Sequence, residues 1–364
     1  MMQRGTPQSA RQPGRRAATL AALAAELGVS RTTVSNAYNR PGQLSPELRE
    51  RVLSAARQLG YPGPDPVARS LRTRQAGAVG LLFTEALSYA FSDPAAVLML
   101  QGLAAACEDA RTGLLLVPGA SDAADDQPAL AARAAVDGFV AYSLPQRDPQ
   151  LQAAMNRPVP LVIVDAPLAI PERDWVGIDD LQAAAGLGEH LAALGHRDVG
   201  VIATKLGEQP HPGLVPVQMQ RESVFDVVRQ RIAGLAAGLG VDRTQLPVME
   251  CPAQSVAAAQ QACRRLLAAT PSLTAIACTT DVLALGALRA ASELGLDVPN
   301  QLSVTGFDGV SAAADYNLTT VRQPHFQKGQ AAWELLSNRS PNRDPVRRTL
   351  PTELLVRGTT APQY

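Results

Sequence analysis

From Ala78 to Tyr364, short apolar runs alternate with amphipathic stretches, and this alternation constrains the fold more than any other feature of the chain. Neighbouring parallel strands need a long crossover, usually a helix, so the repetition predicts parallel sheets covered by helices. A body of this length is better divided into two α/β lobes than built on one sheet. Ligands of such sheets bind at the carboxyl ends of the strands, so two facing lobes predict a cleft. The predicted strands are 78–83, 113–119, 137–143, 160–166, 198–204, 246–251, 273–279 and 302–308, and the predicted helices are 94–110, 128–135, 180–194, 222–239, 255–269, 281–294 and 325–338.

A second constraint lies near the N-terminus, where residues 20–39 read LAALAAELGVSRTTVSNAYN and predict two short helices joined by a tight turn. Apolar residues recur at helical spacing in the first half, and Gly28 suits a left-handed residue at the helix end. Ser30 can cap the second helix, whose buried side begins at Val34. Its first polar residues point outward, which is the layout of a helix-turn-helix whose second helix enters the DNA major groove.

A third helix and a linker follow. Ser45 suits its cap, Pro46 its first position, and Gly60 its end. The Pro- and Gly-rich sequence YPGPDP then predicts a linker, and VARSLRTR after it is long enough for one or two helical turns. A helix this short needs a partner to become ordered. The predicted domains are a disordered basic tail at 1–17, a helix-turn-helix domain at 18–61, a hinge linker at 62–76, and a two-lobed body at 77–364.

The net charge of zero hides an asymmetry between the two parts of the chain. Residues 1–74 contain 12 arginines, no lysine and four acidic residues, so the remainder is net acidic. A basic module on an acidic body is typical of a polyanion-binding domain carried by a separate domain. A solvated basic tail is the alternative for the arginines before residue 17, whereas the others lie in or beside the helical unit.

Several classes of protein receive no support from the sequence. No apolar run is long enough to span a bilayer, and the N-terminus lacks the apolar core of a signal peptide, so we expect a cytoplasmic protein without membrane partners. The four cysteines show no CxxC spacing and the four histidines no metal-ligand spacing, so we expect neither a disulfide nor a metal. Phosphate-binding loops, dinucleotide fingerprints and nucleophile elbows are absent. We therefore expect no catalytic residues and no cofactor.

The segment GEQPHPGLVPVQMQ, residues 207–220, has three prolines, two glycines and no periodicity. This composition predicts a long loop. Loops of this length are uncommon inside compact domains and usually have a function or are mobile. A lid over the cleft and a mobile insertion are the two interpretations, and the insertion is favoured.

Several blocks of the sequence resemble LacI-type bacterial transcription regulators, and they occur in that family's order. The blocks are VSRTTVSNAYN, PDPVARSLRTRQAGAVGLLF, VGIDDLQAAAGLGEHLAALGHRDVGVI, DVLALGALRAASELGLDVPNQLSVTGFD, LTTVRQP and LPTELLVRG. The resemblance runs from about residue 18 to about residue 360. It implies an α/β effector domain similar to periplasmic sugar-binding proteins, which binds a small molecule between two lobes. It also implies a homodimer. We expect lobe 1 to comprise about 77–174 plus 306–333, and lobe 2 about 175–305 plus 334–364.

The resemblance carries roles onto the second helix of the helix-turn-helix. Arg31, Thr32 and Asn36 match positions that contact base edges in the major groove. Arginine commonly makes a bidentate contact with guanine, although a solvated or phosphate-bound Arg31 remains an alternative. Positions that hold the DNA backbone are matched by Ser30, Thr33, Ser35 and Asn39, for which local capping is the alternative.

The resemblance also assigns a role to the hinge. Leu71 matches a leucine that enters the minor groove at the operator centre with its twin from the other subunit, which kinks the DNA. Packing of Leu71 in a dimer core is the alternative. Ala68 matches a small residue that allows the hinge helix to sit in the groove.

On the effector side, Asp281, Arg231 and Phe91 match family residues that contact the small molecule. Asp281 follows a predicted strand, where a carboxylate can reach a hydroxylated ligand or simply cap a helix. Arg231 can contact the ligand or form a surface ion pair. The match of Phe91 is weaker, because residues 89–92 read YAFS in place of the family's Asn-Pro-Phe-Phe. Asp308 and Asp93 are further residues that can line the cleft.

These observations together predict a transcriptional regulator, a repressor of palindromic operator DNA controlled by a small molecule, with a carbohydrate favoured. A nucleoside or a phosphorylated metabolite remains open. The alternatives are a solute-binding protein, or an enzyme acting on a sugar or nucleoside in the same cleft. The helix-turn-helix argues against the first, and the absence of a positioned acid–base set argues against the second.

Overall fold

The computed structural model describes residues 19–64, 75–83, 90–119, 129–207, 209–211, 213–340 and 343–363. The chain separates between residues 76 and 77 into two compact units. Ala68 and Leu71 of the predicted hinge lie outside the described residues.

The smaller unit is a three-helix domain whose caps are those expected from the sequence. Helix α1 spans Leu20–Leu27, α2 spans Arg31–Asn39 and α3 spans Pro46–Leu59. Ser30 accepts a hydrogen bond from Thr33 N at the start of α2, and Gly28 ends α1 with φ of 65°. Because glycine reaches that left-handed conformation without steric cost, it allows the sharp turn between α1 and α2.

The core of this unit is small and made of short side chains. The buried residues are Leu23, Ala24, Val34, Ala37, Val52 and Ala56. With so few buried methyl groups, the caps and turns contribute a large share of the stability of this unit.

The larger unit contains two six-stranded sheets with equivalent strand orders, which confirms the predicted pair of α/β lobes. Sheet 1 has the order β11-β5-β4-β3-β1-β2 and sheet 2 the order β12-β10-β9-β8-β6-β7. All pairs are parallel except β10 with β12. The strands are β1 Ala78–Leu82, β2 Gly113–Val117, β3 Gly138–Tyr142, β4 Leu161–Val164, β5 Asp174–Gly177, β6 Val199–Ala203, β7 Val248–Glu250, β8 Ala275–Cys278, β9 Ser303–Asp308, β10 Thr319–Arg322, β11 Arg347–Thr349 and β12 Glu353–Leu355.

Helices cover both sheets and account for every helix predicted in the body. They are α4 Pro94–Asp109, α5 Leu130–Arg133, α6 Pro149–Met155, α7 Asp180–Ala193, α8 Val217–Arg221, α9 Asp226–Leu239, α10 Val256–Ala269, α11 Asp281–Glu293, α12 Ser311–Asp315 and α13 His325–Ser337. In the described part of the chain, none of the helices has the length and apolar character required to cross a bilayer.

The division of the chain between the lobes differs from the expected one. Strands β9 and β10, within 303–322, pair in sheet 2, whereas the sequence assigned residues from 306 onward to lobe 1. Likewise β5 and β11 belong to sheet 1, although residues 175–177 and 347–349 were expected in lobe 2. Backbone pairing between strands distant in sequence decides this assignment. The chain therefore passes between the lobes three times, after β5, after β10 and after β11.

Two pairs of helices approach each other closely because glycines lie at the contact. A Cβ atom on Gly234 of α9 would lie 2.1 Å from the carbonyl oxygen of Leu181, and one on Gly238 would lie 2.0 Å from that of Ala185 in α7. The α4–α13 contact is equally tight, since a Cβ on Gly102 would lie 1.9 Å from Phe326 O. These contacts fix α7 and α9 in lobe 2 and α4 and α13 in lobe 1, and α4, α9 and α13 each begin at the cavity between the lobes.

Candidate functional site

The exposed start of α2 is the polar surface of the three-helix unit. Arg31 and Thr32 are exposed, and Asn36 lies one turn further along, half-buried. A cation at a helix N-terminus opposes the helix dipole, so Arg31 gains nothing locally from its position. An anionic partner would satisfy both the guanidinium and the helix end.

The other polar residues of α2 are used within the unit. Ser30 Oγ and Thr33 Oγ1 lie 2.8 Å apart, so each supports the other at the cap. Asn39 Nδ2 donates to Ser35 O at 3.0 Å, and Asn36 Nδ2 donates to Gln43 at 3.2 Å. These bonds hold the polar side chains of the helix in place. They are also the local roles that the sequence left open as alternatives to DNA contact.

A cavity of about 580 Å³ lies between the two lobes. Its walls come from the carboxyl ends of strands in both sheets, which confirms the predicted cleft and its position. The aromatic side chains on the wall are Phe83, Tyr142 and Phe225, and Phe83 and Tyr142 meet edge to face with centroids 6.3 Å apart. Residues at strand ends that line the cavity are Phe83, Ser143, Asp165, Thr204, Cys251, Thr280 and Asp308.

Three of these strand-end residues adopt backbone conformations that L-amino acids rarely populate. The φ angles are 55° at Ser143, 63° at Asp165 and 125° at Asp308. Non-glycine residues with positive φ cost on the order of 1–3 kcal/mol each and concentrate at functional sites. This backbone conformation places the three polar residues on the cavity wall, at the point where each strand ends.

Arg231 of α9 is held on the cavity wall by two carboxylates and a carbonyl. Its Nε lies 2.8 Å from Asp180 Oδ1, and Nη1 donates to Thr279 O at 2.6 Å and lies 3.5 Å from Asp308 Oδ1. The guanidinium also stacks over the Phe307 ring at 3.9 Å. Burial alone would lower the pKa of Arg231, but the adjacent carboxylates raise it, so the side chain stays charged.

The polar chain continues from Asp308 in lobe 2 to Asp165 in lobe 1. Gln323 Nε2 donates to Asp308 Oδ1 at 2.7 Å, while its Oε1 accepts from Lys328 Nζ at 2.7 Å. Lys328 Nζ donates in turn to Asp165 Oδ1 at 2.6 Å, and Lys328 is fully buried. A buried lysine requires such partners because an isolated buried charge is very costly. Charged and amide groups therefore connect the two lobes behind the cavity.

A second polar contact joins the lobes at Asp226. Leu168 N, in the segment after β4, donates to Asp226 Oδ2 at 2.7 Å. Asp226 opens α9 and also pairs with Arg229. Since Asp226 lines the cavity, a ligand there lies beside a contact that holds the lobes together.

His325 opens α13 and also lines the cavity. Neither ring nitrogen has a hydrogen-bond partner among the described residues, and Nε2 lies 3.9 Å from Asp308 Oδ1. Burial, together with the charges of Lys328 and Arg231, holds the pKa of His325 well below its usual range. The imidazole is therefore neutral at physiological pH.

Comparison with known proteins identifies the family. Residues 19–63 match the family model of bacterial regulatory proteins of the lacI family, and residues 189–360 match a periplasmic binding protein-like domain. The HTH-type transcriptional regulator Rv3575c of Mycobacterium tuberculosis is 49% identical over 351 residues, which cover 95% of this chain and 98% of that relative. The chain belongs to the LacI family of bacterial regulatory proteins.

Solved structures of LacI-family members share the fold of this chain. A CelR–cellobiose complex matches with a TM-score of 0.67 and 26% identity, over 94% of this chain and 99% of that one. The lac repressor dimer bound to operator and the anti-inducer ONPF matches with a TM-score of 0.74 and 26% identity, over 95% of this chain and 100% of that one. The LacI-family chain is accordingly a helix-turn-helix transcriptional regulator with a periplasmic-binding-protein-like body.

Asp281 does not lie where the family resemblance led us to expect it. Its side chain is fully buried and is not on the cavity wall. Oδ2 accepts from Val310 N at 2.9 Å and Oδ1 accepts from Thr320 Oγ1 at 2.5 Å. Burial raises the pKa of Asp281 to about 6, and the hydrogen bond from Thr320 opposes the rise. Asp281 therefore fastens the β9–α12 loop and β10 to α11, and the neighbouring Thr280 lines the cavity in its place.

The structure also corrects the expectation for Phe91. This side chain is 60% exposed in the turn before α4 and is not on the cavity wall. The next residues, Ser92 and Asp93, do line the cavity. The aromatic side chains on the wall are instead Phe83, Tyr142 and Phe225.

The segment at 205–221 is packed against the edge of sheet 2 over its described residues. Leu214 forms an antiparallel bridge with Met249 of β7, and Val215 N donates to Val248 O at 2.8 Å. Gln220 is buried and donates to Val215 O at 3.0 Å. The segment is therefore attached to the edge of sheet 2 by a single bridge, and its interpretation as a mobile insertion stays a prediction.

Sequence reasoning missed most of the polar residues on or directly behind the cavity wall. Asp165, Lys328, Gln323 and Asp226 carried no motif, and His325 was one of four histidines without metal-ligand spacing. The sequence held one usable signal, since Asp165 lies near the carboxyl end of a predicted strand, as Asp308 does. The cavity positions of Asp93 and Asp308 are confirmed.

Proposed function

We propose that this regulator is a repressor that binds palindromic operator DNA as a homodimer and is controlled by a sugar-like effector in the interlobe cavity. The observation that carries the proposal is a cavity between the two lobes, lined by carboxylates, hydroxyls and aromatic rings, on a chain that also presents an exposed recognition helix. Carboxylates accept hydrogen bonds from sugar hydroxyls, and aromatic rings pack against the apolar faces of sugar rings. The cellobiose bound to CelR supports this ligand class, and the operator-bound lac repressor dimer supports the DNA partner.

On the DNA side, Arg31 reads a guanine through its guanidinium, with Thr32 and Asn36 on adjacent bases. The DNA backbone is held by Ser30, Thr33, Ser35 and Asn39. Residues 62–76 act as the hinge between the helix-turn-helix domain at 18–61 and the body, and the basic residues of 1–17 add nonspecific attraction to DNA. The protein acts in the bacterial cytoplasm, where its operator lies.

On the effector side, Arg231 contacts the ligand while it stays paired with Asp180. The lobes are connected through Asp308, Gln323 and Lys328, so a ligand that prefers one lobe arrangement shifts the population of that arrangement. Its effect on DNA binding is set by its differential affinity for the two arrangements.

The proposal is tested by selecting operator fragments from randomised double-stranded DNA and measuring their binding by fluorescence anisotropy with and without sugars. Expected results are a palindromic consensus, two subunits per operator by sedimentation, and a change in operator affinity with at least one sugar. Selection of no consensus, or an operator affinity that no small molecule changes, contradicts the proposal.

The wedge role of Leu71 has a separate test. Leu71→Ala should weaken operator binding far more than binding to nonspecific DNA, because only operator binding requires insertion at the centre of the site. Equal losses on the two DNAs contradict insertion and favour a role for Leu71 in subunit contact.

A further inference from the structure

The end of the recognition helix is in direct contact with the residues that begin the linker. Tyr38, in the last turn of α2, meets the ring of Tyr61 edge to face, with the centroids 6.1 Å apart and the planes at 79°. Aromatic pairs in this arrangement are favourable beyond the area that they bury. Both residues are half-buried and pack against the small core of the three-helix unit. Tyr38 therefore connects the helix that carries the candidate base contacts to the chain that leaves the unit.

The turn after α3 places Tyr61 against that core. Gly60 has φ of 68°, its N–H donates to Arg57 O at 3.3 Å, and Tyr61 N donates to Ala56 O at 2.9 Å. These two bonds form a Schellman motif, which satisfies carbonyl groups that the end of a helix leaves free. The direction in which Tyr61 leaves α3 is therefore set by hydrogen bonds.

A second glycine with a left-handed backbone fixes the next part of the linker. Gly63 has φ of 102°, and a Cβ atom on it would lie 3.5 Å from Tyr38 Cε1. Glycine adopts such a φ without steric cost, and Pro62 and Pro64 on either side have restricted φ angles of their own. Residues 61–64 therefore have little conformational freedom, and Tyr38 lies beside two of them.

The contact sets a distance along the recognition helix. Tyr38 lies about 10 Å along α2 from Arg31, at the rise of about 1.5 Å per residue of an α-helix. Successive base pairs are about 3.4 Å apart along the duplex. A linker that could leave α2 at different points would reach the operator centre in different base-pair registers, whereas a linker held at Tyr38 reaches it in one register.

We propose that Tyr38 is a positioning residue for operator recognition, and that its contacts with Tyr61 and Gly63 set the half-site spacing that the dimer accepts. The inference rests on the proposed function, in which α2 contacts the major groove and residues 62–76 act as the hinge. A dimer reads two half-sites at a separation that its own geometry dictates. Tyr38 contacts no base in this assignment and acts through the linker.

The test uses the full chain with its selected consensus operator and with two operators that lack or gain one central base pair. Fluorescence anisotropy should show that the wild type binds either altered operator at least about tenfold more weakly. Tyr38→Ala should reduce this preference to about threefold or less, whereas Tyr38→Phe, which keeps the ring, should retain it. A full preference in Tyr38→Ala, or equal binding of the three operators by the wild type, overturns the inference and leaves the proposed function standing. Selection of no palindromic consensus contradicts the proposed function, and the inference falls with it.

A pair of glycine variants separates positioning from the stability of the three-helix unit. Gly63→Val leaves the core side chains in place, but a β-branched residue cannot adopt φ of 102° without strain, so the linker must take another path. The spacing preference should fall by about threefold or more. Gly42→Val is the matched control, because Gly42 lies in the turn after α2, has no left-handed φ, and a Cβ on it would meet nothing within 4 Å.

Both glycine variants are compared below the melting temperature of the unit, which circular dichroism establishes. Gly42→Val should keep the wild-type preference. An unchanged preference in Gly63→Val, or an equal loss in the two variants, overturns the inference.

Discussion

The recognition helix and the interlobe cavity are built in opposite ways. The candidate DNA contacts fall within ten consecutive residues, 30–39, and Arg31 at their start is exposed without an ion pair among the described residues. The cavity draws its residues from both sheets, and its buried charges at Arg231 and Lys328 are paired. A surface charge is stabilised by water until a polyanion replaces the water, whereas a buried charge must be satisfied by the protein even when the site is empty.

The largest expected effect is at the cavity, where the buried charges are paired. Lys328→Met leaves Asp165 buried without its cation, so the body should lose about 3–5 kcal/mol of unfolding free energy. The double variant Lys328→Met with Asp165→Asn should recover most of that loss, because neither charge then remains. Urea unfolding followed by circular dichroism measures both. A loss below about 1 kcal/mol in the single variant would mean that buried pairing is not what distinguishes the cavity.

Asp281 gives a pH-dependent test of a buried charge in the same two-lobed body. Its pKa of about 6 in the folded protein exceeds the ordinary value of 3.8, so the folded state binds the proton more tightly than the unfolded state. This group therefore makes the unfolding free energy fall as pH rises from about 4 to about 6, on the order of 3 kcal/mol in total. Asp281→Asn should remove that fall, and the stability of the variant relative to wild type should improve from pH 4 to pH 7.

Thermal unfolding of both proteins across that pH range makes the measurement. Effector binding is the control, and it should change by less than about twofold, or roughly 0.4 kcal/mol, because Asp281 is not on the cavity wall. If the variant folds but no longer responds to the effector, the result contradicts this expectation and places Asp281 in the binding site.

The exposed recognition helix is tested at Arg31. Arg31→Ala should cost about 1–3 kcal/mol of operator binding and relax the preference at one base pair, because a bidentate contact to guanine is lost. Unfolding of the three-helix unit should stay unchanged. Arg57→Ala is the control of equal charge, since Arg57 is exposed and paired with Glu50. Equal losses of specificity in both variants would contradict base reading by Arg31.

The smallest expected effect separates capping from DNA contact. Ser30→Ala and Ser45→Ala each remove a helix cap, at 3.0 Å to Thr33 N and 3.2 Å to Leu48 N. Each should lower the stability of the three-helix unit by about 1 kcal/mol. Below the melting temperature, only Ser30→Ala should also weaken DNA binding. If the two variants bind DNA equally, Ser30 is a cap alone.

The same contrast explains what the sequence could predict. The helix-turn-helix depends on local spacing around Gly28 and Ser30, so its helices and caps followed from the sequence. The eight predicted strands are all present, and most of them are apolar over four or more residues. Strands β5, β10, β11 and β12 were missed because they span three or four residues, include polar side chains, and are stabilised by partners distant in sequence.

Asp281 and Asp308 show where sequence reasoning ended. Both lie at the carboxyl ends of adjacent strands of sheet 2, yet only Asp308 lines the cavity. The difference depends on Gly306, because a Cβ there would lie 2.2 Å from Asp281 Oδ1. A missing side chain in the next strand therefore gives the carboxylate of Asp281 its buried position, and no local pattern around Asp281 records that.

The three crossings between the lobes also bear on how the protein is made. Sheet 1 lacks β11 and sheet 2 lacks β12 until residues 347–355 have been synthesised, and Thr359 then donates to Val304 O at 2.7 Å. The three-helix unit needs nothing beyond residue 64 for its described core. On the ribosome, the helix-turn-helix can therefore fold while most of the body is still unmade, and neither lobe can complete its sheet until the chain is almost finished.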